Sequence, residues 1–223
     1  MMQRILLFDI DGTLLRINRP FMQKVIFSIL DEMNIPRDVL SKVSFAGNTD
    51  TAIFRSILKD DPHIDDRFQE LKRKYIKRLK NELTLDAISV FEQVENALKS
   101  AQEDGYPMGL LTGNFEQLAY HKLGLAGLDH YFSFGAFGSN HHDRNKLGPI
   151  ARQAYEKKNN IAVSPEQFVI IGDTPRDIAC ARAFGCSCAM VTTGNYSREE
   201  LAEKKPDLII DRLTAPRKWI TKL

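Results

Sequence analysis

A chain of 223 residues with 43% apolar and 27% charged residues has the material for a packed core, which excludes disorder as the default. Its formal net charge of +2 predicts neither nucleic acid nor an anionic membrane surface as a partner. Lys72, Arg73, Lys74, Lys77, Arg78 and Lys80 form a local basic run, but acids surround it and it reads as a solvated helix face.

The first element, residues 1–8, is a short apolar run with one arginine that ends in Asp9. It is too short for a signal peptide and lacks a small-residue cleavage site. Nothing further along approaches the ~18 apolar residues of a transmembrane helix, so a cytoplasmic protein is expected. Residues 18–85 show no convincing strand. Amphipathic helices are expected over 22–33, 49–58 and 67–79, which reads as a small all-helical domain inserted after the first strand. A helix follows over 90–103, carried by Val90, Phe91, Val94, Ala97, Leu98 and Ala101 at three-and-four spacing. Further apolar runs span 108–111, 168–171 and 188–191, with weaker strands expected over 132–137 and 208–210. Helices are expected over 147–158 and 177–184. Short apolar runs ending in polar residues and alternating with helices suit strands buried on both faces of a parallel sheet. Cys180, Cys186 and Cys188 are too few, and odd in number, for a disulfide framework, and read as small buried residues.

Open α/β sheets bind ligands at the carboxyl ends of their strands, and three of these ends carry polar groups suited to phosphate chemistry. The first reads Asp9-Ile10-Asp11-Gly12-Thr13, the second Thr112-Gly113-Asn114, the third Gly172-Asp173-Thr174-Pro175-Arg176-Asp177. A carboxylate such as Asp9 can attack phosphorus and split a hard displacement into two easier ones. A second, Asp11, can protonate the leaving alkoxide and then deprotonate the attacking water. Asp173 and Asp177 lie one helical turn apart and can face the same site, where clustered oxygen ligands around a phosphate suit magnesium. Thr112 and the amides of Gly113 and Asn114 can hold phosphate oxygens, helped by the N-terminus of the next helix.

Together the three segments resemble the signature motifs of the haloacid dehalogenase superfamily, over residues 5–193. The resemblance implies a Rossmann-like core, residues 1–17 and 86–223, with a helical cap, residues 18–85, in the layout of the phosphoglycolate phosphatase-like branch. It implies Asp9 as nucleophile and Asp11 as general acid/base. Magnesium would be held by the Asp9 carboxylate, the Asp11 backbone carbonyl and Asp173, with Asp177 either a ligand or a close neighbour. The family also places a basic residue before the helix preceding the last motif. Arg144 and Lys146 are the candidates, and spacing to Ile150 selects Arg144. Asn48, Thr49 and Asp50, opening a cap helix, resemble a cap segment that approaches substrate; they read equally as an ordinary helix cap. His130, His141 and His142 read as loop residues, the last two with a substrate-facing alternative.

The expected activity is hydrolysis of a small phosphorylated metabolite with Mg2+. Asp11 argues against dehalogenation, which needs no proton for the leaving halide. Phe21 stands where capped phosphomutases usually carry histidine, and several cap lysines exist without one singled out as the Schiff-base lysine of phosphonate hydrolases. A phosphomutase or phosphonate hydrolase is the alternative within the superfamily. A binding protein on the same fold would be expected to lack a motif aspartate, and all four are present.

Overall fold

The computed structural model describes residues 3–223; Met1 and Met2, which open the N-terminal apolar run, lie outside the described residues. The elements in chain order begin with β1 (Ile5–Phe8) and β2 (Leu15–Ile17). Three helices follow: α1 (Arg19–Glu32), α2 (Asp50–Ile57) and α3 (Ile64–Glu82). Then come β3 (Ile88–Val90), α4 (Val94–Glu103), β4 (Met108–Thr112), α5 (Glu116–Leu125), β5 (Gly135–Phe137) and α6 (Leu147–Asn159). The chain closes with β6 (Phe168–Gly172), α7 (Pro175–Phe184), β7 (Ser187–Val191), α8 (Arg198–Glu203) and β8 (Leu208–Ile210).

Six strands form one parallel sheet in the order β5-β4-β1-β6-β7-β8. The expected α/β architecture with a Rossmann-like parallel sheet is therefore present. Its strands are apolar throughout because helices cover both faces. Along β1 the side chains alternate: Leu6 and Phe8 join the layer that holds α4 and α5, while Ile5 and Leu7 join the layer that holds α6 and α7. β1 lies between β4 and β6, in register Leu6↔Met108 and Leu6↔Val169. The chain order reverses there, which opens a crevice at the strand ends.

The helical segment leaves the sheet through β2 and returns through β3. These two strands pair antiparallel, with Leu15 opposite Val90 and Ile17 opposite Ile88. The helix expected over 90–103 therefore starts only at Val94. Val90 belongs to the strand, and Gln93, at φ 68°, turns the chain into α4. Likewise only Gly135–Phe137 of the stretch 132–137 is strand, preceded by a 3-10 turn over Asp129–Tyr131. The apolar faces of α1, α2 and α3 are continuous with the sheet layer beneath them. Phe54 of α2 packs edge-on to Phe115 at the start of α5, with ring centroids 5.5 Å apart, and to Tyr75 of α3 at 5.1 Å. Cys180 and Cys188 are buried and Cys186 partly so, all as unpaired thiols. Among the described residues no helix is long and apolar enough to cross a membrane.

Candidate active site

Asp9 follows β1 directly, and its amide donates to the Ile171 carbonyl at 2.9 Å, so the strand pairing itself fixes its position. Gly12 follows at φ +91°, a left-handed turn that favours glycine, and any side chain there would collide with the Asp173 carboxylate. The turn thus brings Asp173, from the end of β6, against the loop of Asp9 and Asp11. Thr13 donates to Asp173 Oδ1 at 3.3 Å. Asp9, Asp173 and Asp177 each offer a carboxylate oxygen, and these oxygens lie within 4.8 Å of one another.

Asp9 and Asp173 are 5% and 4% exposed, and Asp177 is fully buried. Arg144 is the cation among them: its Nη2 lies 2.5 Å from Asp177 Oδ1 and 3.2 Å from Asp9 Oδ2. One guanidinium against three carboxylates would leave two negative charges in excess were all three ionised. Burial, and secondarily the neighbouring Asp9 and Asp177, push the Asp173 carboxyl up to about 8. Burial also raises Asp9, to about 6, although Arg144 opposes it. An excess of two charges on hard oxygen donors fits a divalent cation such as Mg2+. The donor set does not treat the three acids alike. Both oxygens of Asp177 are engaged, Oδ1 by Arg144 and Oδ2 by the Thr174 amide (3.0 Å) and hydroxyl (2.7 Å), the capping box of α7.

Of the two basic candidates, Arg144 is buried in the cluster and Lys146 is exposed. Arg144 Nη1 donates to the Gly47 carbonyl at 3.3 Å, while its buried Nε has no hydrogen-bond partner. Asn114 lies beside Asp11. Its Nδ2 donates to Asp11 Oδ2 at 2.7 Å and to Thr112 Oγ1 at 2.8 Å, and its backbone amide also donates to Thr112 Oγ1, at 3.3 Å.

One functional candidate was not expected from the sequence. Lys122 of α5 is 3% exposed and donates to both oxygens of Asp11, at 3.0 and 2.8 Å, and to Asn114 Oδ1 at 2.6 Å. The available signal was slight: Leu118, Ala119 and Leu123 are the buried apolar neighbours of Lys122 on that helix.

The segment Asn48-Thr49-Asp50 reaches the site, but its side chains are turned to protein partners. Thr49 caps α2 and donates to the His142 carbonyl at 2.6 Å. Asp50 accepts from the Phe115 amide at 2.8 Å, capping α5, and burial raises its carboxyl to about 6. Asn48 donates to the Ser44 carbonyl at 2.7 Å. The main chain meets the core as well. The Asp50 amide donates to the Gly113 carbonyl at 2.7 Å, and a side chain on Gly113 would collide with the Asn48 carbonyl. Thr51 adds a bond to the Gly138 carbonyl at 2.5 Å. His141 and His142 stack on each other at 4.6 Å on the adjoining loop; His130 is exposed elsewhere.

A buried acidic cluster, built on two of the three motifs, thus sits at the switch point of a parallel sheet. The model of the haloacid dehalogenase-like hydrolases matches residues 6–191, and the chain belongs to that family. Within it the chain falls in the phosphoglycolate phosphatase-like branch. It is 26% identical over 213 residues to a phosphoglycolate phosphatase of Aliivibrio fischeri, covering 93% of this chain and 92% of that one. It is 28% identical over 214 residues to phosphoglycolate phosphatase 1 of Pseudomonas aeruginosa, covering 94% and 77%. Its fold matches the crystal structure of a predicted phosphoglycolate phosphatase from Haemophilus somnus 129pt with a TM-score of 0.75 at 23% identity, over 99% of both chains.

Proposed function

We propose that this hydrolase is a magnesium-dependent phosphatase that acts on a small phosphorylated metabolite through a phosphoaspartate at Asp9. The observation that carries this reading is the convergence of Asp9 and Asp173, buried and short of cations, beside a partly exposed third acid, Asp11. In the first half-reaction an Asp9 oxygen bonds to phosphorus, the bond to the leaving oxygen breaks, and that oxygen takes a proton from the Asp11 carboxyl. In the second, water attacks phosphorus and gives a proton to Asp11, and the bond to the Asp9 oxygen breaks, releasing phosphate.

Thr112 Oγ1 accepts both of its bonds from Asn114, so its own proton is free for a phosphate oxygen, next to the Gly113 amide. The partnerless Nε of Arg144 is a further donor. Asp177 is assigned to holding Arg144, because its two oxygens already take protein donors. Asp9, Asp173 and the Asp11 backbone carbonyl would hold Mg2+, which when bound offsets the repulsion between carboxylates and phosphate. Residues 18–85 act in this reading as a cap on a core made of the first 17 residues and 86–223, seated on the Gly113 loop so as to exclude water.

The test is a panel of phosphate esters assayed with magnesium and with chelator, headed by phosphoglycolate and including sugar phosphates, nucleotides and pyrophosphate. Turnover that appears with magnesium and vanishes in Asp9→Asn supports the reading. Turnover that survives either chelation or Asp9→Asn overturns it.

A further inference from the structure

Two buried cations serve the acids of this site. Arg144 answers to a family motif and pairs with Asp9 and Asp177. Lys122 answers to none of the three motifs and pairs with Asp11. We infer that Lys122 is a positioning residue for proton transfer at Asp11, an inference that rests on the phosphatase reading.

The argument begins with the helix. Leu118, Ala119 and Leu123 of α5 are buried beside Lys122, so its neighbours on that stripe are apolar. A methionine would fill such a place without desolvating a charge. What the ammonium adds is a complete set of bonds. It has three protons and finds three acceptors, two on Asp11 and one on Asn114. Asn114 in turn donates from Nδ2 to Asp11 Oδ2. Asp11, Asn114 and Lys122 therefore close a ring in which each member touches the other two. The Asp11 side chain is 43% exposed and stands on a loop beyond the strand. Without the ring its carboxyl is free to turn toward solvent.

The ring also distinguishes the two carboxyl oxygens. Oδ2 accepts from Lys122 at 2.8 Å and from Asn114 at 2.7 Å, whereas Oδ1 accepts from Lys122 alone, at 3.0 Å. Two donors on Oδ2 favour Oδ1 as the oxygen that hands its proton to the leaving group. From the helical segment, Asp50 acts on the same ammonium through space, and Tyr75 of α3 is buried close enough to feel both Asp50 and Asp11. Lys122 thus stands where the helical segment, the Asn114 loop and Asp11 meet.

The experiment compares kcat/KM of wild type, Lys122→Met and Lys122→Arg on two substrates: the best alkyl phosphate from the ester panel, and p-nitrophenyl phosphate, whose leaving group needs no proton. Lys122→Met is expected to lose ~100-fold on the alkyl ester, the lower part of the usual general-acid contribution, and under ~5-fold on the aryl ester. Lys122→Arg keeps the charge and is expected to recover about tenfold of the alkyl loss. In an Asp11→Asn background, adding Lys122→Met should change the alkyl rate by less than ~2-fold, because Lys122 acts through Asp11. Equal losses on the two esters, or losses that multiply in the double mutant, overturn the inference. If Lys122→Met fails to fold by circular dichroism, Lys122→Gln and Lys122→Arg carry the same two comparisons, and an even loss across both esters counts equally against it. A wild type without turnover on every ester overturns the phosphatase reading itself, which separates the two failures.

Discussion

Replacing Asp173 with asparagine removes a buried charge while nearly preserving shape, and the structure gives the sign and size of the result. The Asp173 carboxyl is raised from the ordinary 3.8 to about 8, by burial first and by Asp9 and Asp177 next. Between those two values the folded state binds the proton that the unfolded chain has released. Stability of the metal-free protein therefore falls as pH rises from about 4 to about 8. The full difference corresponds to roughly 6 kcal/mol, and relaxation and water entry reduce it to about 2–3 kcal/mol in practice. At ~2–4 °C per kcal/mol for a chain of this size, Asp173→Asn should raise the metal-free Tm at pH 8 by about 5–10 °C. At pH 4, where the carboxyl is protonated in both states, the two proteins should melt nearly together. Magnesium should raise the wild-type Tm by an increment that grows with pH, and should leave Asp173→Asn almost unmoved. Scanning calorimetry from pH 4 to 8, with chelator and with magnesium, measures all of this. A lower metal-free Tm for Asp173→Asn at pH 8, or a magnesium increment flat across pH, would refute the reasoning.

Asp9→Asn should abolish turnover while leaving the fold intact; measurable single-turnover phosphate release from a preparation free of deamidation would contradict the covalent step. Arg144→Ala should cost about 3–5 kcal/mol in denaturant unfolding, because it strands the buried Asp177 and worsens the excess charge at Asp9, and it should weaken every ester about equally. Gly113→Ala should unseat the Asn48 carbonyl, which limited proteolysis will show as faster cleavage within residues 18–85 and assay as a loss common to all substrates.

The parallel strands were legible because burial on both faces writes them as unbroken apolar runs, as in Ile5-Leu6-Leu7-Phe8 and Phe168-Val169-Ile170-Ile171. β2 and β3 were not. Each spans three residues, and the exposed Arg16, Ser89 and Val90 leave no apolar run to read. Val90 even continued the three-and-four spacing of the helix beyond it, and only the left-handed backbone at Gln93 separates the two. In the candidate site, the carboxylates were legible because they follow two apolar strands in pairs, Asp9 and Asp11 after β1, Asp173 and Asp177 after β6. The engagement of Asp177 with Arg144 was not, since a residue four positions beyond Asp173 can equally bind metal or cap a helix. Lys122 was hidden because α5 has almost no overall amphipathic pattern, so one lysine on its buried stripe did not stand out. The Asn48-Thr49-Asp50 segment is legible only through its resemblance to a cap segment, because the inward commitment of Thr49 and Asp50 depends on His142 and Phe115, far away in sequence.

The meeting of the Asn48–Asp50 backbone with Gly113 depends little on which side chains the helical segment carries there. What aligns the helical segment on the core there is one peptide group against another: the Asp50 amide on the Gly113 carbonyl, the Asn48 carbonyl over the Gly113 α-carbon. Every residue but proline carries that amide, and every residue carries that carbonyl. Substitutions on α1, α2 and α3 that spare Thr49, Asp50, Thr51 and Phe54 can accordingly redraw the outer surface of the helical segment while this contact stays the same. The fixed partner is the glycine. Keeping Gly113 keeps that peptide-to-peptide contact while side chains elsewhere on the helical segment change.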